Sequence, residues 1–370
     1  MKKLIQAVLA AVPAFAFGYD WQSAETAELK SNLVVYAESR GAHKLAKAVA
    51  ADDNTAWIDR TFRAAEEGLR RTEGLDFRDD KRETVLRILD YPLHLDTWNK
   101  NLPKEELEAW NAAVKGWIAR ARERIFAEAA VAIVPAGKIR LWHFYNMGYL
   151  IKGERHTVAV DVSENPFDWP QADVEKLVSL SDLVVRSHPH GDHFSKRILE
   201  AFTAAGKPVV TASDIGFDAS GENVYVLATD NAEPLEIGGI EVRNYHGYQW
   251  PKDPCNVYLL TIDGVTVVAP GDNQDRKAEA KLGLGKAADV VISAIWNDPT
   301  NIVRCAMMNP GVNREKFVYL PSHFNELGHP VFKRESYWEG YVRKDRLAAP
   351  GFEWPRTVIM APGESLLIGK

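Results

Sequence analysis

Cysteine is scarce in this sequence: only Cys255 and Cys305 are present among 370 residues. Two thiols exclude the disulfide framework that staples small secreted domains, and they exclude a metal site built on closely paired cysteines. The two thiols can pair with each other in an oxidising compartment, or both can stay free. The sequence leaves these two outcomes open.

An excess of positive charge is also absent. The chain has 45 lysine and arginine residues against 51 aspartate and glutamate residues, which gives a formal net charge of -6. Without a basic surplus the protein has little with which to neutralise a phosphate backbone, so nucleic acid is not the expected partner. We expect a small-molecule ligand instead, and the sequence does not indicate an oligomeric state.

Long apolar runs are missing beyond the first residues. No later run approaches the roughly 20 residues that a membrane-spanning helix needs. Residues 1–18 have the features of a signal peptide, because Lys2 and Lys3 precede an apolar run and Ala14-Phe15-Ala16 offers a small-residue cleavage site. The alternative is a buried N-terminal helix. We expect an exported, periplasmic protein without a transmembrane segment in its mature form.

The pattern of apolar residues divides the rest of the chain in two. Residues 19–133 have helical periodicity, with amphipathic stretches at 55–71, 81–89 and 104–127. From Val134-Pro135-Ala136-Gly137 onward, short β-type runs alternate with turn residues and with helical segments at 171–180 and 195–205. The runs are 139–142, 157–162, 183–186, 208–212, 240–245, 257–262, 265–269, 290–294 and 317–320. We predict an all-helical N-terminal region, followed at 134–370 by two sheets packed face to face with helices outside.

The strongest motif is His188-Pro189-His190-Gly191-Asp192-His193, which lies between an apolar run and a helical segment. Three imidazoles and one carboxylate on a turn at the end of a strand can face one point in space. Neutral imidazole and carboxylate are ligands that suit divalent ions such as zinc. The sequence therefore predicts a metal site at this turn.

This hexapeptide matches in full the HxHxDH signature of the metallo-β-lactamase superfamily, which the chain resembles from about Lys138 to its C-terminus. Later metal-binding elements follow in the family's order, each just past a predicted strand. The resemblance implies a four-layer αββα sandwich and a set of metal ligands. These would be His188, His190 and His246 for a first ion, Asp192, His193 and His323 for a second, and Asp272 as the carboxylate bridging them.

The resemblance further implies a hydrolase with one or two zinc ions, for which manganese or iron are alternatives. An open coordination position lowers the pKa of a bound water to about 7, which supplies hydroxide at neutral pH. The substrate would be an ester, lactone, amide or phosphodiester, and Asp192 or a group just outside the ligand set would also transfer protons. Two alternatives remain: an iron-dependent oxidoreductase on the same fold, and a non-catalytic metal-binding protein.

Weaker signals lie around these motifs. Asp161 ends a predicted strand and resembles the family's aspartate that orients ligands rather than binding metal. The segment 321–330 resembles the ascorbate-6-phosphate lactonase-like branch, in which Asn325 would donate to a developing oxyanion; ordinary loop hydrogen bonding is the alternative. Tyr248, Trp250 and the segment 296–298 are candidate aromatic walls of the pocket.

One further segment, residues 145–149, has the composition of a tight turn between two early strands. Gly148 can adopt a positive φ there, as such turns often require. We read this segment as structural, because nothing in its residue types points to chemistry.

Overall fold

A computed structural model describes residues 34, 38, 56–93, 104–165, 167–231, 233–250, 252–295, 299–327, 336–337 and 353–369. The predicted signal peptide (1–18) and the segment 296–298 lie outside these residues, so the expectations placed on them stay predictions. In the described ranges, no helix combines the length and the apolar character needed to cross a membrane.

The first sheet contains seven strands, of which the last in sequence lies at its edge. Its strands are β1 (Lys138–His143), β2 (Tyr149–Lys152), β3 (Thr157–Val160), β4 (Leu183–Arg186), β5 (Val209–Thr211), β6 (Val224–Val226) and β16 (Ser365–Gly369), in the order β16-β1-β2-β3-β4-β5-β6. The pairs from β16 to β3 are antiparallel and those from β3 to β6 are parallel. The first and last strands of the sandwich pair here, because Lys138 lies opposite Gly369.

The second sheet also contains seven strands. They are β7 (Leu235–Ile237), β8 (Ile240–Tyr245), β11 (Val257–Ile262), β12 (Val265–Ala269), β13 (Val290–Ala294), β14 (Val318–Ser322) and β15 (Arg356–Thr357), in the order β15-β14-β13-β12-β11-β8-β7. Strands β12 to β15 are parallel, whereas β7, β8, β11 and β12 form antiparallel pairs. A separate two-stranded hairpin, β9 (Tyr248–Gln249) and β10 (Asp253–Pro254), follows β8.

The central strands are buried on both faces, and their side chains alternate between two cores. Val158 and Val267 join the core between the sheets, whereas their neighbours Ala159 and Val268 pack outward against helices. Such double burial explains why these strands are continuous apolar runs rather than alternating ones. The outer layers contain α4 (Gln171–Leu180) and α5 (Lys196–Ala204) on the first sheet, and α6 (Arg276–Ala280) and α7 (Pro299–Met307) on the second. The predicted four-layer αββα sandwich is confirmed.

The described part of the N-terminal region is helical, as the periodicity predicts. Its helices are α1 (Ala56–Thr72), α2 (Asp80–Leu93) and α3 (Lys104–Val131). Phe62 of α1 stacks on Trp117 of α3, with ring centroids 5.3 Å apart. The apolar core of these helices also includes Phe324 and Tyr337, which come from the second half of the chain. The helices therefore pack against a loop beside the predicted metal ligand His323, although the division of the chain into domains stays a prediction.

A buried ion pair connects the same helices to the end of the chain. The guanidinium of Arg82 in α2 donates to both oxygens of Glu364, and both side chains are nearly inaccessible to solvent, at 0% and 2%. Arg82 also donates to the carbonyl oxygen of Ile359 at 2.5 Å. A buried charge requires such satisfaction, so this pair fixes α2 against the segment that leads into β16.

The question left open for the cysteines has a clear answer. Cys255 is buried and Cys305 is partly exposed, and both are free thiols. Burial raises the pKa of the Cys255 thiol well above its usual value. This residue is therefore an apolar packing element rather than a nucleophile.

Candidate metal centre

The predicted metal ligands lie in loops that follow strand ends of both sheets. The HxHxDH loop follows β4, and α5 begins directly after it, where the Ser195 hydroxyl accepts a hydrogen bond from Ile198 N and caps the helix. His246 follows β8, Asp272 follows β12 and His323 follows β14. The loop is thus fixed at both ends, by a buried strand and by a capped helix.

Four of the predicted ligands form a compact group, which we call the four-residue cluster: Asp192, His193, Asp272 and His323. One ligand atom from each lies within 4.8 Å of all the others. Nε2 of His193 is 3.0 Å from Asp192 Oδ2 and 3.3 Å from Asp272 Oδ1. Nε2 of His323 is 3.2 Å from Asp192 Oδ2 and 3.3 Å from Asp272 Oδ2. Two imidazoles and two carboxylates thus converge in a way that can hold a metal ion.

His188 and His190 lie beside this cluster. Nε2 of His188 is 3.9 Å from Asp272 Oδ2, and the His188 ring lies 4.2 Å from the His193 ring between centroids. The His190 ring packs edge-on against His188, with centroids 4.7 Å apart. The structure therefore brings the whole histidine set of the HxHxDH loop to one place.

His246 is linked to the HxHxDH loop through Asn256. Its backbone N–H donates to Asp230 Oδ1 at 2.7 Å, and its Nδ1 lies 3.0 Å from Asn256 Oδ1. Asn256 in turn donates its backbone N–H to the carbonyl oxygen of Ser187, the residue before His188. The assignment of His188, His190 and His246 to one ion and of the others to a second stays a prediction.

Four of the five predicted histidine ligands have one ring nitrogen within hydrogen-bond distance of a polar side-chain atom. The pairs are His188 Nδ1 with Ser187 Oγ at 3.0 Å, His190 Nε2 with Asp253 Oδ2 at 3.1 Å, His193 Nδ1 with Asp161 Oδ2 at 3.0 Å, and His246 Nδ1 with Asn256 Oδ1 at 3.0 Å. Nδ1 of His323 is farther from Glu326 Oε2, at 3.8 Å. Metal-bound histidines use such contacts to set the ring's orientation and tautomer. In each of these rings the opposite nitrogen would be the one available to a metal ion.

Buried atoms of the cluster and of the adjacent His188 fit a metal ion better than they fit one another. In the described part of the chain, His188 Nε2, His193 Nε2 and Asp272 Oδ1 are buried and make no hydrogen bond of acceptable geometry, although His193 Nε2 lies only 3.0 Å from Asp192 Oδ2. A buried nitrogen or oxygen without a partner costs about 1–3 kcal/mol. Because all three belong to predicted ligands, coordination of a cation accounts for them together.

The charges of the cluster also favour a bound cation. Burial lowers the pKa of His193, but the carboxylates of Asp192 and Asp272 outweigh it and hold that pKa well above its usual value. Burial likewise opposes protonation of His323, yet mainly Asp272 raises its pKa to about 10. The carboxylates thus favour positive charge at the centre of the cluster, and a divalent cation would supply that charge in place of the protons.

Residues 142–307 match the model of a family described as the Beta-lactamase superfamily domain. Over these residues the chain is therefore similar to the metallo-β-lactamase superfamily. No curated protein matches the chain.

Solved structures that are similar to this chain include proteins of different activity. A metallo hydrolase from the archaeon Ignicoccus hospitalis is 17% identical, with 63% of this chain and 99% of that one covered, at a TM-score of 0.46. An isothiocyanate hydrolase from Delia radicum gut bacteria is 16% identical, with 62% of this chain and 99% of that one covered, at a TM-score of 0.43. The diiron β-hydroxylase CmlA from Streptomyces venezuelae is 13% identical, with 64% of this chain and 55% of that one covered, at a TM-score of 0.42. Similarities this low leave the reaction open.

Asp161 lies where the sequence predicts a ligand-orienting carboxylate. Its Oδ2 accepts from Ser187 Oγ at 2.6 Å and lies 3.0 Å from His193 Nδ1. Its Oδ1 accepts from the backbone N–H of Ser187 at 2.7 Å. Gly271 must be glycine here, because a Cβ on it would lie 2.0 Å from Ser187 Oγ. Asp161 and Ser187 therefore connect the first-sheet loop to two histidines at once.

Backbone strain concentrates at the same place. Five described non-glycine residues have positive φ. Asp263 lies away from the centre, Asn146, Asp161 and His323 belong to it or contact it, and Asn325 is two residues beyond His323. Such conformations cost about 1–3 kcal/mol and gather at functional sites. The expectation of positive φ at Gly148 is wrong: within the turn it falls on Asn146, whose short polar side chain tolerates it.

Asn325 is more enclosed than an exposed oxyanion donor would be. Its side chain is buried, and its Nδ2 donates to Asp90 Oδ1 in α2 at 3.1 Å. Its backbone carbonyl accepts from the hydroxyl of Tyr145 at 2.8 Å. The loop-stabilising alternative accounts for these contacts, and the catalytic role of Asn325 stays a prediction.

Sequence reasoning missed the part played by the β9–β10 hairpin. Gln249 donates from Nε2 to Asp272 Oδ2 at 3.1 Å, and Asp253 faces His190 at 3.1 Å. Tyr248 and Trp250 of the same hairpin are exposed, at 44% and 74%. Only the two aromatics gave a sequence signal; the polar contacts depend on a hairpin fold-back that no spacing indicates.

Proposed function

We propose that this protein is a metal-dependent hydrolase that cleaves an ester, lactone, amide or phosphodiester in a small-molecule substrate. The observation that carries the proposal is the convergence of Asp192, His193, Asp272 and His323, whose ligand atoms lie within 4.8 Å of one another beside the unpartnered Nε2 of His188. When bound, one or two zinc ions supply Lewis-acid chemistry, which activates water near neutral pH and polarises the substrate oxygen.

The residues of the chain would bind the metal, orient the imidazole rings and transfer protons. The four-residue cluster and His188, with His190 and His246, would hold the metal, while Ser187, Asp161, Asp253 and Asn256 fix the rings. Asp192 is the ligand carboxylate with the greater access to solvent, at 12% against 3% for Asp272. We assign Asp192 the task of passing a proton between the reacting centre and solvent.

The substrate is less defined than the reaction class. The similarity of segment 321–330 to the ascorbate-6-phosphate lactonase-like branch favours a lactone or an ester. Exposed Tyr248 and Trp250 stand on a hairpin that contacts Asp272 and His190, so they are placed to cover an apolar part of the substrate.

The function is tested by metal analysis of the purified protein together with a screen of ester, lactone, amide and phosphodiester substrates. We expect one or two zinc equivalents per chain, turnover of at least one substrate class, and loss of turnover after chelation that zinc restores. Redox-active iron without hydrolysis would favour the oxidoreductase instead. Bound metal without turnover of any kind would favour a non-catalytic protein.

Replacing Trp250 by alanine should weaken substrate binding without slowing the chemical step. Covering an exposed aromatic ring is worth about 1.5 kcal/mol or more, so KM for the best substrate of the screen should rise about tenfold while kcat stays the same. Steady-state kinetics measures both. Leu284→Ala is the matched control, since Leu284 is an exposed apolar residue (90%) in the loop after α6, and its KM should equal that of the unaltered protein. An unchanged KM in Trp250→Ala would remove the hairpin from the substrate site.

A further inference from the structure

Asn146 occupies the turn between β1 and β2 and is almost fully buried, at 1% exposure. The turn is closed by Phe144 N donating to Gly148 O and by Gly148 N donating to Tyr145 O, each at 2.8 Å. At its centre Asn146 has a φ of 54°. A turn of this shape needs a residue that tolerates positive φ, but it does not need a buried amide.

The amide of Asn146 reaches into the metal centre. Its Nδ2 donates to Asp192 Oδ2 at 2.7 Å, the same oxygen that lies 3.0 Å from His193 Nε2 and 3.2 Å from His323 Nε2. A carboxylate oxygen has two lone-pair sites, so this hydrogen bond leaves one for a cation. The contact therefore fixes the direction of the other site.

The backbone of Asn146 contacts a second member of the cluster. Its carbonyl oxygen accepts from His323 N at 3.2 Å and lies 3.0 Å from His143 Nε2. Asp192 belongs to a loop of the first sheet, whereas His323 follows β14 of the second. Asn146 thus connects two predicted ligands that follow strands of different sheets.

The energetics argue against a purely structural residue. Oδ1 of Asn146 is buried and accepts no hydrogen bond from the described residues, which costs about 1–3 kcal/mol. Glycine would form the same left-handed turn without burying an amide. The amide is thus costly for the turn itself and useful only for the contact with Asp192.

We propose that Asn146 is a positioning residue that sets the separation and direction of Asp192 and His323, and so the affinity of the four-residue cluster for metal. This inference rests on the proposed metal-dependent function. Residues that orient ligands without touching the ion typically contribute 10- to 100-fold to metal affinity, and we expect about that effect here.

The test compares Asn146→Gly with Asn146→Ala, measuring Zn²⁺ affinity by competition with a chromophoric chelator and the Tm of the metal-free protein. Both variants lack the amide, but only alanine strains the backbone at positive φ. We expect Zn²⁺ affinity to fall about 10- to 100-fold in both variants. The metal-free Tm should fall further in Asn146→Ala than in Asn146→Gly.

Asn309→Ala is the control, because Asn309 is also buried and donates from Nδ2 to Gly285 O at 2.7 Å, away from the cluster. It should lower the Tm and leave Zn²⁺ affinity unchanged. The inference is overturned if Asn146→Gly binds zinc like the unaltered protein, if affinity falls only in the strained Asn146→Ala, or if neither variant folds. Should the unaltered protein itself bind no zinc, the proposed function fails as well; equal binding by all proteins contradicts the role of Asn146 alone.

Discussion

Asp272→Asn should deprive the protein of bound zinc and lower its hydrolytic activity about a thousandfold. Asp272 is the carboxylate that faces His188, His193 and His323 together, so its replacement would remove the predicted bridging ligand. A metal ion contributes several kcal/mol to a hydrolytic transition state, and each 1.36 kcal/mol is a factor of ten in rate. Metal analysis after dialysis and kcat/KM on the best substrate measure the two effects.

Asp263→Asn is the matched control for this prediction. Asp263 is also a buried aspartate of the second sheet's β11–β12 hairpin, and it lies 2.9 Å from His156 Nδ1 rather than near the metal centre. The control should retain its zinc and its activity. Full zinc content in Asp272→Asn would show that this carboxylate is not a ligand.

Arg82→Met should destabilise the protein by about 3–5 kcal/mol, because it leaves Glu364 charged and buried without its partner. At about 2–4 °C per kcal/mol for a large domain, the Tm should fall by about 10 °C. Thermal unfolding followed by circular dichroism measures the shift. The double variant Arg82→Met/Glu364→Leu should regain much of the loss, since it removes both charges from the interior.

An exposed ion pair on the neighbouring helix provides the comparison. Arg63 donates to Asp59 at 2.6 Å, but the two side chains are 59% and 41% exposed. Arg63→Met should therefore change the stability by no more than about 1 kcal/mol. Equal losses in Arg63→Met and Arg82→Met would contradict the importance given to burial.

Much of the sandwich can be predicted from local patterns. Strands β4, β8, β11, β12 and β13 begin and end at the predicted residues, because each is an apolar run bounded by polar or turn residues. The members of the four-residue cluster are also predictable, since each follows such a strand in the order of a known signature.

The rest depends on contacts between distant parts of the chain. The pairing of β16 with β1 places Lys138 opposite Gly369. The local pattern of apolar residues does not indicate which strand a given strand will pair with. Asp253 reaches His190 only because a hairpin folds back over the site. For Asn146 the sequence predicts only a turn residue. Its hydrogen bond to Asp192 spans 46 positions, so residue spacing does not indicate it.

The hydrogen bond between Asp90 and Asn325 has a consequence for how this protein tolerates change. Asp90 Oδ1 also accepts from Tyr337 N at 2.9 Å. One carboxylate of α2 therefore binds two residues that follow His323 in the sequence, Asn325 and Tyr337. Helix α2 is 235 positions away in sequence from the loop that it braces. A chain trimmed to the sandwich alone would keep every predicted metal ligand and yet lose these hydrogen bonds. We therefore expect changes in the first helices to weaken the retention of metal.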